Sequence, residues 1–199
     1  MKSAPDDRPG LSKAAVVLLW IPVGAGGHVV GHTSRWWERA DAAIARRKPQ
    51  VLFHAALEIS VDNDNYVIEM APEWSGPRVD HGVVATGPVG LRSLGRSALF
   101  RYEVRCWRGG TIPDRGWAVG GSTLLTDNDA TARLLLRRIR DVPTLTWGRN
   151  VLDTGDMWNS NSLVSWLLTV SGIATLLVPP DGGRAPGWVA GVAMATTAN

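Results

Sequence analysis

Two separated stretches of the sequence carry the side chains best suited to acid–base and nucleophilic chemistry. The first holds His54 and Glu69 in a predicted β-hairpin, and the second holds Ser160 in a polar segment that precedes an apolar helix. An imidazole beside a carboxylate is a competent general base, and a serine hydroxyl becomes a nucleophile when such a base removes its proton. The three residue types together are those of a serine-type hydrolase or acyltransferase.

The hairpin has an alternating pattern that predicts which side chains share a face. In residues 53–59 apolar and polar side chains alternate, so His54 lies on the face opposite the apolar one. In residues 66–70 the apolar face is formed by Tyr66, Ile68 and Met70, which places Glu69 on the second face. If both apolar faces enter one core, His54 and Glu69 share a surface of adjacent strands.

The register of the hairpin decides whether these two side chains meet. With Asp62 and Asn63 as a two-residue turn, Glu69 lies opposite Ala56, on the diagonal from His54 and within side-chain reach. With the turn shifted by one residue, Glu69 lies opposite Glu58, about 13 Å along the strand from His54. The sequence leaves both registers open, and a solvated polar hairpin face is the alternative interpretation.

The Ser160 segment has the composition of a helix start. Residues 156–168 pass from a polar loop into an apolar run. The first backbone N–H groups of a helix have no partner within the helix and favour negative charge, so they can hold the oxyanion that forms when a nucleophile attacks a carbonyl. Serine and asparagine are also preferred N-cap residues, so a purely structural cap is the alternative.

Taken together, HAALEISVDNDNYVIEMAP (54–72) and NSNSLVSWLL (159–168) resemble the circularly permuted papain-like hydrolases and acyltransferases, the NlpC-type and lecithin:retinol-acyltransferase-like superfamily. Members carry a His on one strand, a second polar residue on the next, and an Asn-Cys pair at the start of a later helix. The resemblance implies a papain-like α+β fold, with an antiparallel sheet packed against a few helices and the nucleophile at a helix N-terminus. It implies His54 as base, Glu69 as the group that orients it, and Ser160 as nucleophile.

The chain departs from the family pattern at two positions. Glu69 stands where the lipid-acting branch often has a second His, and Ser160 stands where Cys is usual. The serine leaves three interpretations open: an active serine enzyme with an acyl-enzyme intermediate, an inactive papain-like module that binds a peptide, glycan or acyl ligand, and an engineered replacement of Cys.

Composition limits the other functional classes. The 21 basic and 18 acidic residues give a net charge of +3, too balanced for a dedicated nucleic-acid binder. Cys106 is the single cysteine, which excludes an internal disulfide and a thiolate zinc site. No pattern indicates a metal or an organic cofactor, so we expect neither. The expected partner is a small-molecule, peptide or lipid-like substrate, and the oligomeric state is left open.

No signal peptide or transmembrane segment is recognised, so the expected location is the cytoplasm. Residues 1–12 are predicted to form a flexible tail, followed by one α+β domain over residues 13–199. The helix over 126–140 is rich in arginine, which is typical of a solvated face, with contact to an anionic membrane as a lesser alternative.

Sequence patterns predict the elements that must position the candidate site. Predicted strands cover residues 13–23, 50–60, 65–71, 79–89 and 99–107, with a further strand after Gly172 and an edge strand over 189–195. Predicted helices cover 34–48, 126–140 with Thr126 as N-cap, and 161–170.

Ten tryptophans stand against two tyrosines and two phenylalanines. Several fall near the candidate catalytic segments, which predicts an apolar groove beside Ser160, although filling of the core is the alternative for most of them. The candidate substrate-binding residues are Trp158, Asn159, Asn161, Trp147 and Trp74.

Overall fold

The protein has an α+β fold, as the sequence predicts. The computed structural model describes residues 14–24, 46, 48–73, 82–112, 114–173 and 176–197. Its strands are β1 (Ala14–Pro22), β2 (Phe53–Val61), β3 (Asp64–Pro72), β4 (Val83–Pro88), β5 (Arg101–Arg108) and β6 (Ser122–Thr126). Its α-helices are α1 (Asp129–Arg138), α2 (Ser160–Val170) and α3 (Trp188–Thr197).

The six strands form one antiparallel sheet in the order β4-β5-β3-β2-β1-β6. Strand β1 is apolar on both faces, because Val16 and Leu18 enter the main core while Leu19 and Ile21 enter a smaller cluster on the opposite face. Burial on both faces explains why its sequence is a continuous apolar run and not an alternating one.

The β2–β3 hairpin adopts the first of the two registers considered above. Asp62 and Asn63 form a two-residue turn with φ of +54° and +65°, and Leu57 pairs with Ile68. Asp and Asn tolerate positive φ better than other residues with side chains, and this backbone matches the twist of the two strands. The described pairing ends at Leu57, so the first part of β2 has an edge that β3 does not cover.

The main core lies on one face of the sheet, beneath α1 and α2. Strand residues such as Leu57 and Ile59 have no exposed surface, and neither does Leu163 of α2. Burial of each large apolar side chain contributes about 1.5–3 kcal/mol. The core therefore fixes α2 firmly against β2 and β3, the two strands that carry His54 and Glu69.

Two element predictions near the C-terminal half are wrong. The sequence predicts Thr126 as a helix N-cap, but Thr126 ends β6, a strand that the sequence does not predict. The N-cap of α1 is Asn128, whose side chain accepts a hydrogen bond from the Thr131 N–H at 2.9 Å. Residues 189–195 were expected to form an edge strand, but they belong to α3.

Three further sequence predictions concern a strand after Gly172, the segments before β2 and the absence of a membrane-spanning helix. Residues 173 and 176–178 have no regular structure, so the strand expected after Gly172 is absent from the described residues. The tail over 1–12 and nearly all of the predicted helix 34–48 lie outside the described residues. None of the described helices is both long enough and apolar enough to cross a bilayer.

Candidate active site at the start of helix α2

The candidate site is built around the first turn of α2, which is held by a reciprocal capping box. Asn159 is the N-cap, and its Oδ1 accepts hydrogen bonds from the N–H groups of Asn161 (2.9 Å) and Ser162 (3.3 Å). In return, the Ser162 hydroxyl accepts a hydrogen bond from the Asn159 N–H at 3.0 Å. The box fixes the backbone on both sides of Ser160.

Asn161 ties this turn to the uncovered edge of β2. Its Oδ1 accepts a hydrogen bond from the Ala55 N–H at 2.7 Å, and its Nδ2 donates to the Phe53 carbonyl at 2.9 Å. The side chain thus takes the place of a neighbouring strand for two backbone groups. Beyond it, the Phe53 N–H donates to the Arg184 carbonyl at 2.7 Å. The edge of β2 that β3 does not cover is therefore paired with the Asn161 side chain and with the loop at Arg184.

A loop from the C-terminal part of the chain braces the same turn from the other side. The Pro186 carbonyl accepts hydrogen bonds from Nδ2 of both Asn159 (2.8 Å) and Asn161 (2.9 Å). The Ser162 hydroxyl contacts the Gly187 carbonyl at 2.7 Å. Gly187 has φ of +94°, and a Cβ there would overlap the Asn159 side chain, so this close approach requires glycine.

His54 and Ser160 meet at this braced turn. The Nδ1 atom of His54 lies 2.8 Å from the Ser160 Oγ, although the two residues are 106 positions apart in the chain. His54 is partly buried at the start of β2, next to the backbone groups that Asn161 holds. When the Nε2 atom carries the imidazole proton, the Ser160 hydroxyl donates to Nδ1, which is the arrangement required for proton abstraction.

Burial sets the protonation state of His54. Desolvation lowers its pKa from 6.5 to about 4, so the imidazole is neutral near pH 7. A neutral imidazole can accept the hydroxyl proton, but within the described part of the chain no carboxylate contacts it to stabilise the cation that would follow. The Ser160 N–H, at the first helical position, also makes no hydrogen bond to a described residue and remains available to an oxyanion.

Glu69 does not contact His54. Its Oε1 accepts a hydrogen bond from Arg105 Nη1 at 3.1 Å, and Glu103 binds the same buried guanidinium at 2.9 Å. Of the two registers that the sequence leaves open, the structure has the one that would allow contact with His54, yet the carboxylate turns towards β5, where Arg105 is paired with it across the strands. The opposite charge of Arg105 thus holds Glu69 in an ion pair, away from the orienting position that the sequence suggested.

The predicted groove residues have other roles. Trp158 has no exposed surface and belongs to the main core, so it cannot line an open groove. Asn159 and Asn161 use their side chains to hold backbone groups, as described above, and are not free to bind a substrate. Trp147 packs edge-on against Tyr102 with ring centroids 5.7 Å apart. Trp74 lies outside the described residues.

Other candidate chemistry is not supported by the described residues. Burial raises the pKa of the Cys106 thiol, which makes it a weak nucleophile. The described residues hold no group of three or more His, Cys, Asp or Glu side chains that could ligate a metal. Only the His54–Ser160 pair combines a nucleophile, a base and an available N–H among these residues.

Asp156 and the loop at Arg184 to Gly187 support the site but were not recognised from the sequence. Asp156 Oδ1 accepts a hydrogen bond from the Gly187 N–H at 2.6 Å, and Oδ2 accepts one from the Val189 N–H at 3.2 Å. An aspartate and an APG sequence are compatible with any loop, so neither contains a local signal for these contacts.

Comparison with protein-family models, with curated proteins and with solved structures found no match for this chain.

Proposed function

We propose that this protein is a hydrolase or acyltransferase that cleaves an amide or ester bond through Ser160 and His54, on a papain-like permuted fold. The single observation that carries the proposal is the 2.8 Å contact between His54 Nδ1 and Ser160 Oγ. It joins the two residues that the family resemblance selects as base and nucleophile. The capping box and the Asn161 bridge support it, because they hold Ser160 rigidly against His54.

The proposed reaction uses groups that are already in place. His54 takes the proton of the Ser160 hydroxyl through Nδ1 while Oγ attacks the substrate carbonyl. The Ser160 N–H then donates to the developing oxyanion, aided by the positive end of α2. His54 returns the proton to the leaving amine or alcohol, and the acyl-enzyme transfers its acyl group to water or to a second acceptor. Glu69 has no support as the orienting group, because it is bound to Arg105.

A second function is favoured by the surroundings of His54. Its pKa of about 4 makes the imidazole a weak base, and no described anion stabilises its cation. The alternative is therefore a papain-like module that binds a peptide, glycan or acyl ligand without cleaving it. Both functions use the same fold, so the reactivity of Ser160 must distinguish them.

The first test is covalent labelling with a fluorophosphonate, followed by mass-spectrometric location of the adduct. We expect modification of Ser160 in the native chain and its loss in Ser160→Ala and in His54→Ala. Ser60→Ala is a matched control, since it removes an exposed hydroxyl that donates to the Asn65 side chain at 2.7 Å, away from Ser160. An unlabelled Ser160 in a folded protein would contradict the serine-enzyme proposal.

The second test asks whether the site can activate a better nucleophile. In Ser160→Cys, a thiol at a helix N-terminus beside an imidazole should have a lowered pKa and react with iodoacetamide near neutral pH. Cys106 is an internal control, because burial raises the pKa of its thiol. Rapid alkylation of the introduced thiol, together with an unlabelled native Ser160, would favour the binding module. Equal reactivity of the introduced thiol and Cys106 would contradict the activating geometry, and with it the enzyme proposal.

A further inference from the structure

A cleft outside the His54–Ser160 site lies between β4, the turn over 92–96 and the segment 144–146. Its volume is about 490 Å³, within the range of about 300–1,000 Å³ typical of small-molecule sites. The side chains around it include three arginines and three threonines and no acidic residue: Thr86, Arg92, Arg96, Arg101, Thr144 and Thr146.

The cleft carries uncompensated positive charge. Arg101 is neutralised by Glu73, whose Oε1 accepts from Arg101 Nη2 at 2.8 Å. Arg92 and Arg96, in contrast, form no ion pair or hydrogen bond with any described side chain. Both arginines are exposed at the cleft, where an anion can accept hydrogen bonds from both guanidinium groups.

The walls of the cleft are held by specific contacts. The Tyr102 hydroxyl donates to the Leu145 carbonyl at 2.8 Å, and the Trp147 N–H donates to the Pro88 carbonyl at 2.9 Å. These bonds fix the segment 144–146 beside the end of β4. Gly95 permits the turn to approach closely, because a Cβ there would lie 2.9 Å from the Pro88 Cβ. The cleft is therefore already formed before any ligand arrives.

We propose that this cleft binds the phosphate group of a ligand, with Arg92 and Arg96 as its charged contacts. The threonine hydroxyls of Thr86, Thr144 and Thr146 supply neutral donors around the same space. Two free guanidinium groups and several hydroxyls match a phosphate dianion, which has three terminal oxygens to share among them, better than a single carboxylate.

Exposed apolar side chains lie in the same segment as the two arginines. Leu99 is 68% exposed, Leu91 47% and Phe100 42%. Such residues would contact acyl chains if the phosphate belongs to a lipid headgroup at a membrane surface, whereas a water-soluble phosphate compound would leave them untouched. The phosphate chemistry is common to both sources, and the experiment separates them.

The test compares binding of inorganic phosphate and glycerol phosphate, by calorimetry, in the native chain and in two charge-matched double variants. Arg92→Gln with Arg96→Gln removes the proposed contacts, and Arg137→Gln with Arg140→Gln removes two exposed arginines of the α1 region. We expect the first pair to weaken binding by about tenfold or more, since each charged hydrogen bond contributes that order of affinity. The second pair should have little effect.

Vesicles of phosphatidylcholine with and without phosphatidic acid identify the source of the phosphate. Binding that requires phosphatidic acid and is lost in Leu99→Ser with Phe100→Ser assigns a lipid headgroup, and binding of the soluble phosphates alone assigns a soluble ligand. Either result supports the phosphate site. The proposal is overturned if no phosphate probe binds, if acetate binds as tightly as phosphate, or if both double variants lose affinity equally.

Discussion

Asn161 should contribute strongly to the stability of the protein. It is only 4% exposed, and it binds Ala55 N–H, the Phe53 carbonyl and the Pro186 carbonyl. In Asn161→Leu the branched shape of the side chain is kept, and Pro186 retains its bond from Asn159, but the two β2 groups lose their partners. Each unsatisfied buried group costs about 1–3 kcal/mol, so the variant should lose about 2–6 kcal/mol of unfolding free energy. That is a large part of the roughly 5–15 kcal/mol of a typical domain.

The assay is equilibrium unfolding in urea, followed by tryptophan fluorescence and circular dichroism. Asn65→Ala is the control, because Asn65 makes one side-chain contact in an exposed position, and we expect a change within about 0.5 kcal/mol. A loss below about 1 kcal/mol in Asn161→Leu would refute the argument that this side chain replaces a strand, because the two β2 groups would then have found other partners.

Asn161→Asp tests the donor role of the Asn161 side chain separately. The carboxylate keeps an acceptor for the Ala55 N–H but faces the carbonyls of Phe53 and Pro186 with no proton to donate. Protonation restores a donor, so the folded state should bind a proton more tightly than the unfolded chain does. Unfolding free energy of this variant, relative to the native chain, should therefore rise as pH falls. A relative stability that does not change with pH would contradict the proposed bonding.

Three further results follow from the described contacts. Burial lowers the His54 pKa from 6.5 to about 4, so between these pH values the unfolded chain binds a proton that the folded chain does not. The free energy of unfolding should therefore fall as the pH is lowered through this window, and the His54 part of the fall should vanish in His54→Asn. Fluorophosphonate labelling of Ser160 should be independent of pH above about 5, because the imidazole is then neutral. Gly191→Ala should lose about 1–3 kcal/mol in thermal or urea unfolding, because the new methyl overlaps the Ser165 Oγ and the Ser162 carbonyl, whereas Gly116→Ala, which meets open space, should be neutral. Asp156→Ala should cost about 1–2 kcal/mol by the same measurement, since it removes the acceptor at the start of α3; an unchanged midpoint would show that this cap adds nothing.

Local patterns account for the parts that the sequence predicts well. The β2–β3 hairpin follows from alternation and from two residues that accept positive φ, all within about twenty positions. The start of α2 follows from an Asn-Ser cap before an apolar run. No local pattern contains the contact between His54 and Ser160, and the expectation that they meet rests on the proposed resemblance alone.

The errors involve partners that are distant in the chain. The sequence leaves two registers open for Glu69, and in the observed one its carboxylate binds Arg105 instead of His54; the pairing of β3 with β5 cannot be deduced from either strand alone. Residues 188–197 contain many small residues, which fit either an edge strand or a helix. They are helical because Asp156 accepts from their first N–H groups and Gly191 lets α3 lie close to α2.

The loop at Pro186 and Gly187 has a consequence for how the site is made in the cell. Ser160 and His54 are synthesised well before this loop, yet the Asn159, Asn161 and Ser162 side chains obtain their remaining hydrogen bonds from it. While residues 186–187 are still inside the ribosome, α2 lacks these contacts and its first turn is not locked against β2. The first turn of α2 therefore reaches its final hydrogen bonding only after the loop at Pro186 and Gly187 has left the ribosome.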